Sequence, residues 1–271
     1  MKIYRSPSGV KVQSERRWFE PREFSFDQLF REREPIRWLR ERLVEAGEGI
    51  IPGALRPPLE TQEIWAAGVT YLRSREARME ESQREADVYD RIYDAARPEL
   101  FFKAAAPRVV GHGGEVRIRA DSTWNVPEAE LALAVNSEGR IIGYAIGNDM
   151  SSRSIEGENP LYLPQAKIYD GSCALGPGLL LAEEPLPPST KIVLAITRAG
   201  AEVFTGSARL AQMKRQAAEL VEYLYRECSF PNGCYLLTGT GIVPERGFTL
   251  AAGDLIKITI EPIGTLTNRV S

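Results

Sequence analysis

PEAELALAVNSEGRIIGYAIGND, residues 127–149, is the stretch that decides how this chain folds. Within it Leu131, Leu133 and Val135 alternate with Glu130, Ala132 and Ala134, the period-two pattern of a half-buried strand. Asn136-Ser137-Glu138-Gly139 is a turn sequence, and it returns the chain into a second apolar run, Ile141-Ile142-Gly143-Tyr144. The stretch predicts an antiparallel hairpin.

Glu128 and Glu130 lie two residues apart on the first strand, so both carboxylates share a face whose other members, Ala132 and Ala134, are small. Like charges side by side repel, and a divalent cation is the simplest remedy, although such a pair taken alone is more often a solvated face. A turn at Ser137–Gly139 pairs residue 128 near residue 148, which brings Asp149 to the same end of the hairpin. Strict alternation aims Asp149 at the opposite face, so the chain must leave the strand, or bulge, at Asn148-Asp149 for this third carboxylate to join. Three carboxylates without His or Cys form a hard oxygen site suited to Mg2+, with Mn2+ or Ca2+ as alternatives, rather than to zinc.

Strand patterns continue on both sides. Val116, Ile118 and Ala120 alternate with charged residues, Lys191–Thr197 and Glu202–Thr205 predict a second hairpin, and Tyr235–Thr238 and Leu255–Ile260 predict two more strands. Leu210, Met213, Ala217, Leu220, Val221 and Leu224 mark one amphipathic helix. The fold class is α+β, built on a curved or closed antiparallel sheet. Residues 1–60 read as a small helical appendage ahead of a main domain at 61–271: Ser25 caps a helix through Leu29, Phe30, Ile36, Leu39 and Leu43, Pro35 kinks it, and a Pro- and Gly-rich linker follows. The charged stretch from Ser74 to Ala96 predicts a helix capped by Ser74, either solvated and held by ion pairs or a mobile lid carrying Arg73 or Arg75 over a site.

Composition narrows the function. Among 271 residues, 34 Lys and Arg stand against 37 Asp and Glu, a net charge of −3 that argues against nucleic acid. The start of the chain carries no apolar targeting segment and no apolar run approaches a membrane span, so a cytoplasmic protein with a small-molecule site is expected. His112 is the sole histidine, set in the turn-like Val110-Gly111-His112-Gly113-Gly114, where it reads as an exposed loop residue. A histidine-rich metal centre is thereby excluded. Cys173, Cys228 and Cys234 read as free thiols. Polar groups also concentrate at Glu99–Lys103, Gln165–Gly171 and Thr238–Gly241. Lys103 and Lys167 sit beside apolar residues, although a surface lysine laid along such a patch is the commoner outcome. The Thr238-Gly239-Thr240-Gly241 loop can offer N–H groups to an anion or be a simple tight turn.

In their order, GVTY (68–71), ELFFK (99–103), PEAELALAV (127–135), GYAIGNDMSSR (143–153), AKIYDG (166–171), GPGLLL (176–181), LLTGTGIV (236–243) and AAGDLIKITIEPIGTLTNRV (251–270) resemble the fumarylacetoacetate hydrolase superfamily, over roughly residues 64–270. The resemblance implies a mixed β-sandwich roll. It assigns Glu128, Glu130 and Asp149 to a divalent metal, usually magnesium, Lys167 to the substrate's vicinity and Thr240 to the substrate carboxylate. Arg153, Tyr169, Lys103 and Arg73 are the further candidate substrate contacts, and the family implies a homodimer or homotetramer. One departure is informative. The family's carbon–carbon hydrolases and decarboxylases hold a histidine in the lid after the GxxY segment, whereas this chain reads Gly68-Val69-Thr70-Tyr71-Leu72-Arg73-Ser74. The SREAR, RPELFFKA and GENPLYLPQAKIYDG segments are most similar to the 2-keto-3-deoxy-D-arabinonate dehydratases, which implies loss of water from a 2-keto-3-deoxy pentonate, arabinonate or xylonate, to give 2,5-dioxopentanoate. Lys167 and Glu99 are then the candidates for the proton transfers, in either order. Ser154 stands where an Asp commonly follows the Arg of the NDxSxR segment. Acylpyruvate-type hydrolysis, oxaloacetate decarboxylation and a non-catalytic ligand-binding module remain the alternatives.

Overall fold

The computed structural model describes residues 1–15, 17–46, 54–81 and 92–271. The predicted hairpin is there and runs further than its pattern suggested: β9 (Asn125–Val135) is buried along its whole length, and β10 (Ile141–Ser152) pairs with it antiparallel. Ile141 opposes Val135, but Gly143 opposes Ala134, so Ile142 is one residue in excess. From that bulge onward the register is offset by one, and Asp149 stands directly opposite Glu128. Directly paired residues of an antiparallel ladder point to the same face, so Asp149 joins the two glutamates. The break expected at Asn148-Asp149 is absent, and the strand continues to Ser152. Parity is corrected beside the turn instead.

The described residues form two sheets. The larger runs β4 (Leu43–Glu45), β3 (Arg17–Pro21), β2 (Gly9–Ser14), β1 (Lys2–Ser6), β11 (Cys173–Leu181), β10, β9, β14 (Cys234–Leu237), β5 (Glu63–Gly68) and β6 (Glu99–Ala104), with the short β7 (Val109–Val110) also on β11. The smaller runs β13 (Ala201–Arg209), β12 (Lys191–Arg198), β15 (Leu255–Ile260), β16 (Gly264–Val270) and β8 (Glu115–Val116). Alternation then sorts the hairpin's side chains. Leu131, Leu133, Val135, Tyr144, Ile146 and Met150 share one core with Ile192, Leu194, Ile256 and Ile258 of the smaller sheet. Ala132, Ala134 and Ala145 face the other way, where α1 (Phe26–Leu29) and α2 (Pro35–Arg40) bring Phe26, Leu29, Phe30, Trp38 and Leu39 over the turn end. The far end of that second face carries Glu128, Glu130 and Asp149.

Several elements differ from expectation. The described residues among 1–45 form four strands and two short helices: β1 hydrogen-bonds to β11 and extends the larger sheet, and the apolar spacing that predicts one helix is met by the two short ones. Ser25 does cap the first, accepting from the Gln28 N–H at 3.3 Å, while Pro35 opens the second rather than kinking it. The strand expected over 116–120 stops at Val116, because the Arg117 N–H turns away to the Gly171 carbonyl. The charged helix α3 begins at Leu72 and is described to Glu81, with the remainder of the Ser74–Ala96 expectation lying largely outside the described residues. Ser74 is buried and folds back on Tyr71, accepting from its N–H and donating to its carbonyl. The chain also forms α4 (Arg153–Glu158), α5 (Leu163–Lys167) and α6 (Ala217–Tyr225), the last shorter than the stripe from Leu210 implies. Among the described residues no helix is long and apolar enough to cross a membrane.

His112 is half-buried, not an exposed loop residue; its Nδ1 accepts from the Thr267 N–H at 3.2 Å and its ring also bonds to the Thr265 backbone. Burial is the main cause of a pKa lowered from 6.5. Below about pH 6.5 the unfolded chain therefore binds more protons here than the folded one, so this contribution to stability is full above that pH and declines as the pH falls toward the lowered value. Urea unfolding between about pH 7.5 and 5.5 should show this decline, and His112→Gln should flatten it; equal slopes in both proteins would exclude His112 as its source.

Candidate active site

One carboxylate oxygen from each of Glu128, Glu130 and Asp149 lies within 4.8 Å of the other two, and all three residues are buried. β9 supplies the glutamates and β10 supplies Asp149, aligned by the Ile142 bulge. Glu130 Oε2 accepts the Gly239 N–H at 2.5 Å, so the glycine-rich loop does serve an anion, but an internal one. Burial, reinforced by the charges on Asp149 and Glu128, holds the Glu130 carboxyl well above its ordinary pKa. A cation among these oxygens removes that penalty, and an all-carboxylate set suits a hard divalent ion. The residues present fit magnesium.

Cations from three other segments already converge on this group. Lys167, at the end of α5, places Nζ 2.8 Å from Glu128 Oε2, 3.1 Å from Asp149 Oδ2 and 2.6 Å from Ser151 Oγ. Ser152 caps α4, which starts at Arg153 and lets its guanidinium donate to Glu128 Oε1 at 2.5 Å. Lys103 on β6 lies fully buried behind Asp149, with Nζ 2.5 Å from Oδ1, and donates to the carbonyls of Met150 and Lys167. Two of its protons go to those carbonyls, and its charge pairs with Asp149. The structure therefore places Lys103 as an internal brace beneath Asp149.

The open side is a narrow pocket, lined among others by Gly68, Val69, Phe101, Glu128, Lys167 and Thr240. Glu99 opposes Gly68 across the β5–β6 ladder, and a Cβ on Gly68 would lie 2.0 Å from Glu99 Oε2, so this approach needs glycine. Thr240 is buried, and its Oγ1 accepts from the Ile242 N–H at 3.1 Å. Tyr169 has a buried hydroxyl whose pKa is pushed up by burial and by the charge on Asp149, and it lies outside the pocket lining under the Arg119 guanidinium. Arg73 is 38% exposed on α3, 3.8 Å from Glu76, and is not brought to the carboxylates. Three residues at the site were not singled out from the sequence. Ser151 shares a face with Asp149 two positions away, Glu156 is buried 3.9 Å from Arg153, and the Phe101 ring lies 5.7 Å from Lys167 Nζ. Alternation beyond Asp149 was the available signal for Ser151.

If these oxygens hold the ion, Mg2+ at about one hundred times its Kd should raise the unfolding free energy by about 2.7 kcal/mol. Chemical denaturation with and without Mg2+ measures this, and Glu130→Gln should lose most of the increment. Because the Glu130 carboxyl titrates high, protons compete for this oxygen, and Mg2+ affinity should fall as the pH is lowered through that raised pKa. An unaltered Mg2+ response in Glu130→Gln would remove Glu130 from the metal site.

Residues 63–271 match the family profile described as fumarylacetoacetate (FAA) hydrolase C-terminal. The chain is 48% identical over 215 residues to a probable 2-keto-3-deoxyxylonate dehydratase of Haloferax volcanii, covering 79% of this chain and 74% of the relative. It is 45% identical over 217 residues to a 2-dehydro-3-deoxy-D-arabinonate dehydratase of Saccharolobus solfataricus, covering 79% and 73%. A solved structure of 2-keto-3-deoxy-D-arabinonate dehydratase complexed with magnesium and 2,5-dioxopentanoate superposes with a TM-score of 0.87 at 34% identity, over 100% of this chain and 99% of that one. Buried carboxylates on a bulged hairpin, the roll of two sheets and the match over most of the chain agree: this protein belongs to the fumarylacetoacetate hydrolase family.

Proposed function

We propose that the protein is a metal-dependent hydro-lyase that converts a 2-keto-3-deoxy pentonate, arabinonate or xylonate, into 2,5-dioxopentanoate. The observation that carries this reading is the carboxylate triad meeting Lys167 at a small pocket, with no histidine in the segment that follows Gly68-Val69-Thr70-Tyr71. Likeness to two dehydratases at 45–48% identity supports it. Residues 61–271 carry the chemistry in this reading, and strands β1–β4 extend the larger sheet.

Glu128, Glu130 and Asp149 would hold the magnesium ion, with manganese or calcium as substitutes. When bound, the ion supplies Lewis acidity that makes the C3 protons of a 2-keto acid easier to remove, a contribution of several kcal/mol. Thr240 and Arg153 orient the substrate carboxylate. Glu99 accepts a C3 proton as a carboxylate, and Lys167, an ammonium already hydrogen-bonded to three acceptors, donates to the departing C4 hydroxyl. Loss of that proton and hydroxyl as water leaves a C3–C4 double bond. A C5 proton then leaves as one returns to C3, and the C4–C5 enol tautomerises to the C5 aldehyde, so one water is lost overall. The family likeness also implies a homodimer or homotetramer, which light scattering reads directly.

The test is incubation with Mg2+ and 2-keto-3-deoxy-D-arabinonate or xylonate, with the aldehyde product followed by an aldehyde dehydrogenase. Glu128→Gln should abolish metal-dependent turnover, and Lys167→Met should lower kcat by about 10²- to 10⁴-fold, the range for loss of a general acid or base. Oxaloacetate and an acylpyruvate belong beside these substrates. Turnover of those two alone would overturn the dehydratase reading.

A further inference from the structure

Val69 has φ +50°, in the left-handed region that a β-branched side chain rarely enters. Both neighbours hold it there. Gly68 is pressed against the Glu99 carboxylate, and the Thr70 hydroxyl donates to the Thr238 carbonyl at 2.6 Å while the Thr70 carbonyl accepts from the Lys214 N–H. Along β5, Ile64 and Ala66 enter one core and Trp65 and Ala67 pack with the other, so simple alternation sends Val69 after Trp65 and Ala67. Val69 nevertheless belongs to neither core. It is only 6% exposed, yet it lines the pocket with Phe101, Lys167 and Thr240.

Core packing therefore does not account for valine here, and glycine would adopt this backbone without strain. We propose that Val69 is a specificity-determining residue: it forms the apolar wall that limits the chain length of the 2-keto acid admitted. The proposal rests on the functional reading above. The positive φ takes Val69 off the core line of β5 at the point where the chain borders the pocket. A shorter residue at this position opens the wall, and a longer one closes it further.

Calorimetric titration of the Mg2+-loaded protein with unbranched 2-oxo acids of four, five and six carbons tests this without requiring turnover. The wild type should bind the six-carbon acid about tenfold or more weakly than the five-carbon acid, the cost of an ill-fitting methylene. Val69→Gly should close that gap, and Val69→Leu should move the cut-off to a shorter chain. Val69→Ala keeps a side chain at the strained position and serves if the glycine variant fails to fold. An unchanged length preference in a folded Val69→Gly or Val69→Ala protein would overturn the proposal. Binding of these acids by a wild type that does not dehydrate a pentonate would instead overturn the function and leave the wall standing, whereas failure to bind any of them would overturn both.

Discussion

The site depends on parity in a single ladder. An antiparallel pair keeps side chains on one face only while its register holds, and one extra residue exchanges the faces of everything beyond it. Ile142 is that residue. Without it Asn148, not Asp149, would stand opposite Glu128, and a carboxylate would be driven into the apolar core shared by Met150 and Leu131. With it, Asp149 and Ser151 fall on the face of Glu128 and Glu130. The bulge lies at the opposite end of the hairpin from the chemistry, so a local irregularity acts there through the whole length of β10.

Collecting three carboxylates on a buried face raises the second physical problem, because each charge removed from water needs a partner. Lys103, Arg153 and Lys167 provide it from β6, α4 and α5, which pack around the hairpin end. Arg153 and Lys167 also line the pocket, whereas Lys103 is enclosed between Asp149 and two backbone carbonyls. Similar side chains thus separate by depth: two can meet a ligand, and one ties the Asp149 strand to the backbone of Lys167. The small helices of the site owe their position to the same end of the sheet, since Ser152 is both the last residue of β10 and the cap of α4.

How much of this was legible follows from the range over which each feature is determined. The hairpin, the shared face of Glu128 and Glu130 and the hard-oxygen donor set are local consequences of alternation and residue type, and they could be read directly. Asp149 could be recognised as a third carboxylate, but the position of the bulge could not, since Ile141-Ile142-Gly143 satisfies either register until the neighbouring strands select one. The N-terminal strands carry Lys, Arg and Gln on short edges, which weakens their alternation, and they form by addition to β11, nearly 180 residues away in sequence. Lys103 has the same local sequence whether it lies on the surface or beneath Asp149. Nothing in Gly68-Val69-Thr70-Tyr71 marks the valine as left-handed; that conformation is imposed by Glu99 and Thr238, which arrive from other strands.

The strand order also sets when the protein can become functional during its synthesis. β14, residues Cys234–Leu237, lies between β9 and β5, and Gly239 just beyond it supplies the N–H that holds Glu130. A ribosome-bound chain that stops short of this segment exposes two long unpaired strand edges and has no anchor for one of its three carboxylates. The carboxylate face cannot be completed from the N-terminal segments alone. It is assembled only once residues 234–239 have joined β9 and β5.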